Sequence, residues 1–247
     1  MKALILAAGL GTRLKPWTLN HPKALALVNG KPLLQRTIEY LQRAGIYEVI
    51  VNVHHFADQV IDALEQNKGW GSKYQISDES GLLMDTGGAI MKAAHYGYLD
   101  GLDHFVVVNA DILTDMPLKV FMQQSEESGQ LATLAVSERQ SSRRLLFDTR
   151  SGLLGGWENI ATGEVKMTRT LEHPLSMPFS GIHCLKHTLI EILAGMDAFK
   201  GKEPFSIIDA YLTLSLTQRI GYFDHSGSKF MDTGTPERLD AAAALFD

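Results

Sequence analysis

The segment His104-Phe105-Val106-Val107-Val108 has no polar face. Side chains on a strand alternate between its two sides, so a strand that is apolar throughout must be covered on both. Helices packed above and below a sheet provide that cover. The rest of the first half fits the demand. Ala3–Leu6, Glu48–Val53, Tyr74–Ser77 and Leu131–Val136 read as strands, and Leu33–Ala44, Phe56–Leu64, Gly88–Ala94 and Leu118–Gln124 read as helices between them. Strands alternating with helices imply parallel βαβ units with right-handed crossovers. The expected fold class is therefore α/β, a Rossmann-like, mostly parallel mixed sheet flanked by helices. Ligands on such sheets sit outside the carboxyl ends of the strands.

The second half is less regular. Arg144–Asn159 reads as short strands with glycine turns at Gly152 and at Gly155-Gly156. Pro178–Leu185 and Ile220–Phe223 read as strands, and Leu189–Ala194 and Ile207–Leu216 as helices. Pro236–Phe246 is expected to be a terminal helix, with Thr235 as N-cap and Pro236 in its first position. With 247 residues, 45% of them hydrophobic, the chain suits one domain over 1–247 with two lobes, about 1–125 and about 126–247.

Composition removes several classes of function. No apolar run approaches the ~18 residues of a membrane helix, and no signal peptide is evident. Cys184 is the single cysteine, which excludes intrachain disulfides and cysteine-rich zinc sites and fits a reducing, cytoplasmic setting. The net charge of −5, without a basic block, speaks against nucleic acid as partner. The nine histidines lack metal-site spacing, and no nucleophilic Ser or Cys arrangement is visible.

The first strand runs into Leu6-Ala7-Ala8-Gly9-Leu10-Gly11-Thr12-Arg13-Leu14-Lys15-Pro16, and Lys23 follows Pro22. Gly9 and Gly11 remove Cβ atoms that would hold a ligand off the backbone, and both tolerate φ > 0. The exposed amides form an anion-binding concavity, to which Arg13 and Lys23 add full charges. The string is not the G-x-x-x-x-G-K-[ST] loop of ATPases. It also fails the dinucleotide fingerprint, because Leu14 stands where a third glycine is required. An acidic protein that binds a triphosphate needs a divalent cation to offset the remaining charge. Asp111 closes Val108-Asn109-Ala110-Asp111 at the end of the buried strand and suits Mg2+, which takes one or two carboxylates plus phosphate oxygens.

L-A-A-G-x-G-T-R-L-x-P with its spaced Pro-Lys resembles the signature of the sugar-1-phosphate nucleotidylyltransferases. The resemblance covers nearly the whole chain, and the lack of a C-terminal extension points to a short, single-domain type. Within the family, L-A-A-G, T-G-G-A-I, V-N-A-D and F-S-G-I look most like the N-acetylmuramate-1-phosphate uridylyltransferases. The resemblance implies Mg2+-dependent transfer of a nucleotidyl group from an NTP, UTP favoured, to a sugar 1-phosphate, with release of pyrophosphate. It implies a nucleotide lobe in the first half and a sugar-binding lobe in the second, in a monomer or small homo-oligomer. By residue, it assigns the nucleotide to Leu6, Ala8, Gly9, Gly11, Thr12, Arg13, Lys23 and Gly88, and the sugar to Asn109 and Gly181. Arg13 and Lys23 act in the chemistry. The metal falls to Asp111 and to Asp232 of Met231-Asp232-Thr233-Gly234-Thr235. A second Asp-Thr-Gly, Asp85-Thr86-Gly87, opens the segment that the resemblance places against the nucleobase. Twin D-T-G turns also mark aspartic proteases, but those are all-β chains.

The chain departs from the larger glucose-type members in one respect. Their Glu-Lys-Pro, whose lysine meets the sugar phosphate, is Glu172-His173-Pro174 here, and Arg143, Arg144 or Arg169 is expected to supply the charge. Heptose- or mannose-type guanylyltransferases, phosphocholine cytidylyltransferases and non-catalytic nucleotide sensors are the alternatives.

Overall fold

The structure is a computed structural model and describes residues 1–246. The strands are β1 (Ala3–Leu6), β2 (Leu27–Val28), β3 (Lys31–Pro32), β4 (Glu48–Val53), β5 (Lys73–Asp78), β6 (His104–Asn109), β7 (Ile112–Thr114), β8 (Ala132–Val136), β9 (Arg143–Asp148), β10 (Leu153–Asn159), β11 (Glu164–Met167), β12 (Pro174–Met177), β13 (Phe179–Lys186), β14 (Ile220–Asp224) and β15 (Phe230–Asp232). The helices are α1 (Leu33–Arg43), α2 (Ala57–Gln66), α3 (Asp85–His95), α4 (Leu118–Ser128), α5 (Thr188–Gly195), α6 (Ile207–Ser215) and α7 (Pro236–Leu245).

The described residues form an eleven-stranded sheet in the order β12-β9-β10-β14-β8-β13-β6-β1-β4-β5, with β11 added on β10. β5, β4, β1 and β6 are mutually parallel, as are β8 and β14. β13 enters antiparallel between β6 and β8, and β10 and β12 also run against their neighbours. The sheet is the expected mixed α/β type, with the parallel pairs concentrated on the side of the glycine loop.

Both faces of the central strands are buried, as their composition requires. Leu4, Phe105 and Val107 point into one core with Ile90 of α3, Leu189 of α5 and Tyr211 of α6. Ala3, Ile5, Val106 and Val108 point into the other with Ile38 of α1, Leu64 of α2 and Phe121 of α4. Among the described residues no helix is long and apolar enough to cross a membrane.

Two local expectations need correction. Gly155-Gly156 is not a turn. It lies inside β10, at a register shift between Leu154 and Gly156. Its glycines are required by packing: a Cβ at Gly155 would sit 2.3 Å from Leu171, and one at Gly156 would sit 2.7 Å from the Lys166 carbonyl oxygen. Thr235 does precede α7 in extended backbone, with Pro236 at the helix start, but its side chain makes no capping hydrogen bond.

Candidate active site

The glycine loop leaves β1 at the carboxyl edge, where Leu6 lies between Asn52 of β4 and Asn109 of β6. Asn52 is 3% exposed. Its Oδ1 accepts the Ala7 N–H at 2.6 Å and the Ala8 N–H at 3.2 Å. The first two loop amides are therefore satisfied by the protein, and an anion must use those that follow. The two glycines then divide the work. Nothing lies within 4 Å of a Cβ placed on Gly9, so open space stands above that residue. Gly11, at φ 58°, faces inward, and a Cβ there would sit 2.8 Å from Thr18 and 2.9 Å from Lys23. Its role is to let Lys23 pass close to the loop backbone rather than to admit a ligand.

A cavity of about 440 Å³ opens beside this loop, within the range of small-molecule sites. Leu6, Ala8, Gly9, Lys23, Asn109 and Asp111 all line it. Gly11, Thr12, Arg13, Gly88, Gly181 and Asp232 do not. Gly181 lies one layer back, at φ 72° in the irregular start of β13, where a Cβ would collide with the Asn109 amide at 2.7 Å. Its missing Cβ thereby leaves room for the Asn109 side chain. Exposed Arg13 reaches the other D-T-G turn: a Cβ on Gly234 would sit 2.5 Å from its Nη2.

The role read for the Thr86-Gly87-Gly88 segment is also revised. Space above these glycines is occupied by the chain itself. A Cβ on Gly87 would sit 2.2 Å from the Phe205 ring, and one on Gly88 would sit 2.9 Å from Met84 and 3.2 Å from Glu203. The Gly87 N–H donates to the Phe205 carbonyl at 2.9 Å, and Thr86 Oγ1 accepts the Ile207 N–H at 3.0 Å. These contacts dock the 203–207 segment and bring Pro204 to the cavity wall, beside Leu83, Asp85 and Thr86.

Glu79 is a wall residue on the same side, fully buried. Its Oε1 accepts from Asn52 Nδ2 at 2.9 Å, and its Oε2 accepts the Met84 N–H at 3.1 Å. Burial pushes its pKa up, with the two hydrogen bonds opposing. A continuous polar chain thus runs from the loop amides through Asn52 to Glu79 and Met84. Sequence reasoning passed over Asn52. The available signal was one polar side chain inside the otherwise apolar run Val49–Val53, which must find partners once buried.

The two aspartates separated in sequence meet through a short ribbon. β7 follows Asp111 directly and pairs antiparallel with β15, placing Asp232 opposite Ile112. The N–H and Oγ1 of Thr233 both donate to the Asp111 carbonyl, at 2.9 and 2.8 Å. Asp111 forms an ion pair with Lys23. Asp232 Oδ2 accepts from Arg238 Nη1 at 3.3 Å, whereas its Oδ1 is buried without a partner. An orphaned carboxylate oxygen on the strand paired beside Asp111 fits a hard cation whose other ligands come from phosphate and water. Among the described residues no group of three or more His, Cys, Asp and Glu could hold a metal, so a cation here depends on its substrates for ligands.

Comparison with known proteins follows this geometry. The family described as "Nucleotidyl transferase" matches residues 2–246. The chain is 32% identical over 156 residues to the mannose-1-phosphate guanylyltransferase catalytic subunit beta of Xenopus tropicalis, covering 62% of this chain and 43% of that protein. It is 38% identical over 123 residues to the N-acetylmuramate alpha-1-phosphate uridylyltransferase of Neisseria meningitidis, covering 50% of this chain and 52% of that one. The matched segments span about half of these relatives' lengths. Among solved structures, HddC from Yersinia pseudotuberculosis complexed with GMP-PN superposes with a TM-score of 0.77 at 25% identity, over 100% of this chain and 99% of the other.

Proposed function

The chain belongs to the nucleotidyl transferase family, and we propose that it is a sugar-1-phosphate nucleotidylyltransferase that makes an NDP-sugar and pyrophosphate. One observation carries the reading: Gly9, Lys23, Asn109 and Asp111 line a single cavity, with Asp232 on the strand beside it. The nucleotide falls to the first lobe and the sugar to the second. UTP and N-acetylmuramate 1-phosphate are the favoured pair, supported by the Neisseria relative. GTP with a mannose-type phosphate is the second reading, supported by the Xenopus relative. A reducing, cytoplasmic setting suits the single buried Cys184.

The chemistry follows from charge. A sugar phosphate has its second pKa near ~6, so its oxygen is already a nucleophile at neutral pH and needs no general base. That oxygen attacks the α-phosphorus in line, and pyrophosphate leaves. The protein's task is to position two anions and neutralise the charge that develops between them. Lys23, released from Asp111, stabilises the α-phosphoryl oxygens. Arg13 and the amides from Gly9 to Thr12 hold the β- and γ-phosphates and the departing pyrophosphate. Asn109, accommodated by Gly181, hydrogen-bonds a sugar or ribose hydroxyl. Asp111 and Asp232 would hold Mg2+, which supplies positive charge to the phosphates.

The test is pyrophosphate release with Mg2+ across UTP, CTP, GTP, dTTP and ATP, each against N-acetylmuramate, mannose and glucose 1-phosphates and phosphocholine. Release with UTP and the muramate supports the favoured pair. Another sugar pair keeps the mechanism and changes the substrate. Silence with triphosphate still bound overturns the transferase reading in favour of a nucleotide sensor.

A further inference from the structure

β8 points the same way as β6 and β1, so its carboxyl end delivers Ser137, Glu138 and Arg139 to the rim that carries the glycine loop. Arg139 is half-buried there. Its Nη2 donates to the Phe179 carbonyl at 2.7 Å, and its guanidinium carbon lies 4.7 Å from the centre of the Phe230 ring. Phe179 stands two residues before Gly181, and Phe230 two before Asp232. The side chain therefore bridges the strand that packs beside Asn109 and the strand that carries Asp232.

Its polar capacity is largely unused. Nε is buried and has no hydrogen-bond partner. None of the ion pairs formed by the described residues includes Arg139. Burial works first against its charge; among its charged neighbours Asp232 favours it, and Arg238 and Arg144 oppose it. A guanidinium offers five donors in a planar fork that matches phosphate. Burying such a group unpaired and among like charges is unfavourable, unless an anion completes the set.

Arg144, Arg150 and Arg143 are either committed to other partners or exposed. Arg144 Nη2 donates to the Ser176 carbonyl at 2.8 Å and lies 3.4 Å from Glu138. Arg143 is exposed. Glu172 faces Arg150 at 3.2 Å, and its neighbour is His173 rather than a lysine. Arg13 approaches the Asp232-Thr233-Gly234 turn from the glycine loop, its Nη2 2.5 Å from a Cβ placed on Gly234.

We propose that Arg139 binds the phosphate of the acceptor, facing the triphosphate subsite across the Asp111–Asp232 pair. The inference rests on the transferase reading for the acceptor's identity, and on the geometry alone for the anion site. The triphosphate's phosphates belong to the loop and Arg13, so Arg139 contributes to the affinity of one substrate only.

The test is calorimetric titration of the whole protein with inorganic phosphate, in Mg2+ and with UTP saturating the loop, for wild type, Arg139→Gln and Arg139→Lys. Steady-state KM values for both substrates accompany it. Arg139→Gln should raise the phosphate Kd and the acceptor KM tenfold or more, with the UTP Kd changed less than twofold and Arg139→Lys recovering part of the loss. If Arg139→Gln does not fold, Arg139→Lys, which keeps the charge but loses the fork, should weaken phosphate at least threefold. Unchanged phosphate affinity and acceptor KM in a folded variant overturn the assignment even where NDP-sugar is made. Phosphate binding that is lost in the variant, by a protein that turns over no acceptor, keeps the anion site and removes the transferase reading.

Discussion

Replacing Asn52 with leucine removes the link between the loop amides and the cavity wall while nearly preserving volume. Three partners lose their hydrogen bonds: the Ala7 N–H, the Ala8 N–H and Glu79 Oε1. A buried polar group left unsatisfied costs roughly 1–3 kcal/mol. All three groups border the cavity, where water can replace a lost partner, and the lower figure applies to Ala8 and Glu79. Ala7 carries the shortest of the three bonds, so the upper part of the range applies there. The gross cost is about 4 kcal/mol, against which the added apolar burial of leucine returns about 1 kcal/mol. The net loss of about 3 kcal/mol should lower Tm by about 6–12 °C for a chain of this size. Scanning calorimetry reads that shift, and the freed loop should also raise KM for the triphosphate about tenfold, with KM for the acceptor unchanged. A Tm within about 2 °C of wild type would refute the energetic argument, because fully satisfied buried bonds cannot be lost at so little cost. A large Tm shift with unaltered triphosphate KM would reduce Asn52 to a purely structural tie.

Lys23→Ala should lower kcat by ~10²-fold or more with the fold intact, as for other lost transition-state donors, and near-normal turnover removes Lys23 from the chemistry. Asp232→Asn should abolish Mg2+-dependent turnover, so an unchanged Mg2+ titration defeats its assignment to the metal. Burial holds His183 at a pKa of about 3 and His225 at about 4, well below the usual 6.5. Both are neutral in the fold, so the unfolded chain gains protons first, and stability present above pH ~6.5 is lost as pH falls toward those values. At pH ~5.5 the pair should cost about 3 kcal/mol together. His183→Gln, compared with wild type by thermal unfolding at two pH values, should lose roughly half of that slope. An identical slope rules His183 out as a source. Glu79, whose raised pKa acts in the opposite sense, contributes equally to both proteins and cancels.

What the chain states locally, it states well. Ala3–Leu6 and Glu48–Val53 are strands over those same residues, and the apolar run beginning at His104 is buried on both faces because period-two packing leaves it no alternative. The glycine loop and Asp111 are likewise legible, since each follows the end of a strand whose direction sets where it points. Glycines were harder to read. Gly9 opens to a ligand, but Gly11, Gly87, Gly88, Gly155 and Gly156 are glycines because other parts of the chain press against them. A missing side chain in a sequence does not say what fills its place.

The metal pair and the polar chain belong to tertiary structure. Asp232 acquires meaning only when β15 pairs with β7 and Thr233 grips the Asp111 carbonyl. Asn52 becomes a brace for the loop only when β1 and β4 lie side by side, and Arg139 becomes an unpaired cation only when Phe179 and Phe230 converge on it. Periodicity along the chain encodes which faces are buried, so elements and their order follow from the sequence by itself. Which distant side chains share a cavity depends on strand pairings across a hundred residues or more, as between Asp111 and Thr233. Those pairings are chosen by the packing of the whole core, and no local pattern carries them.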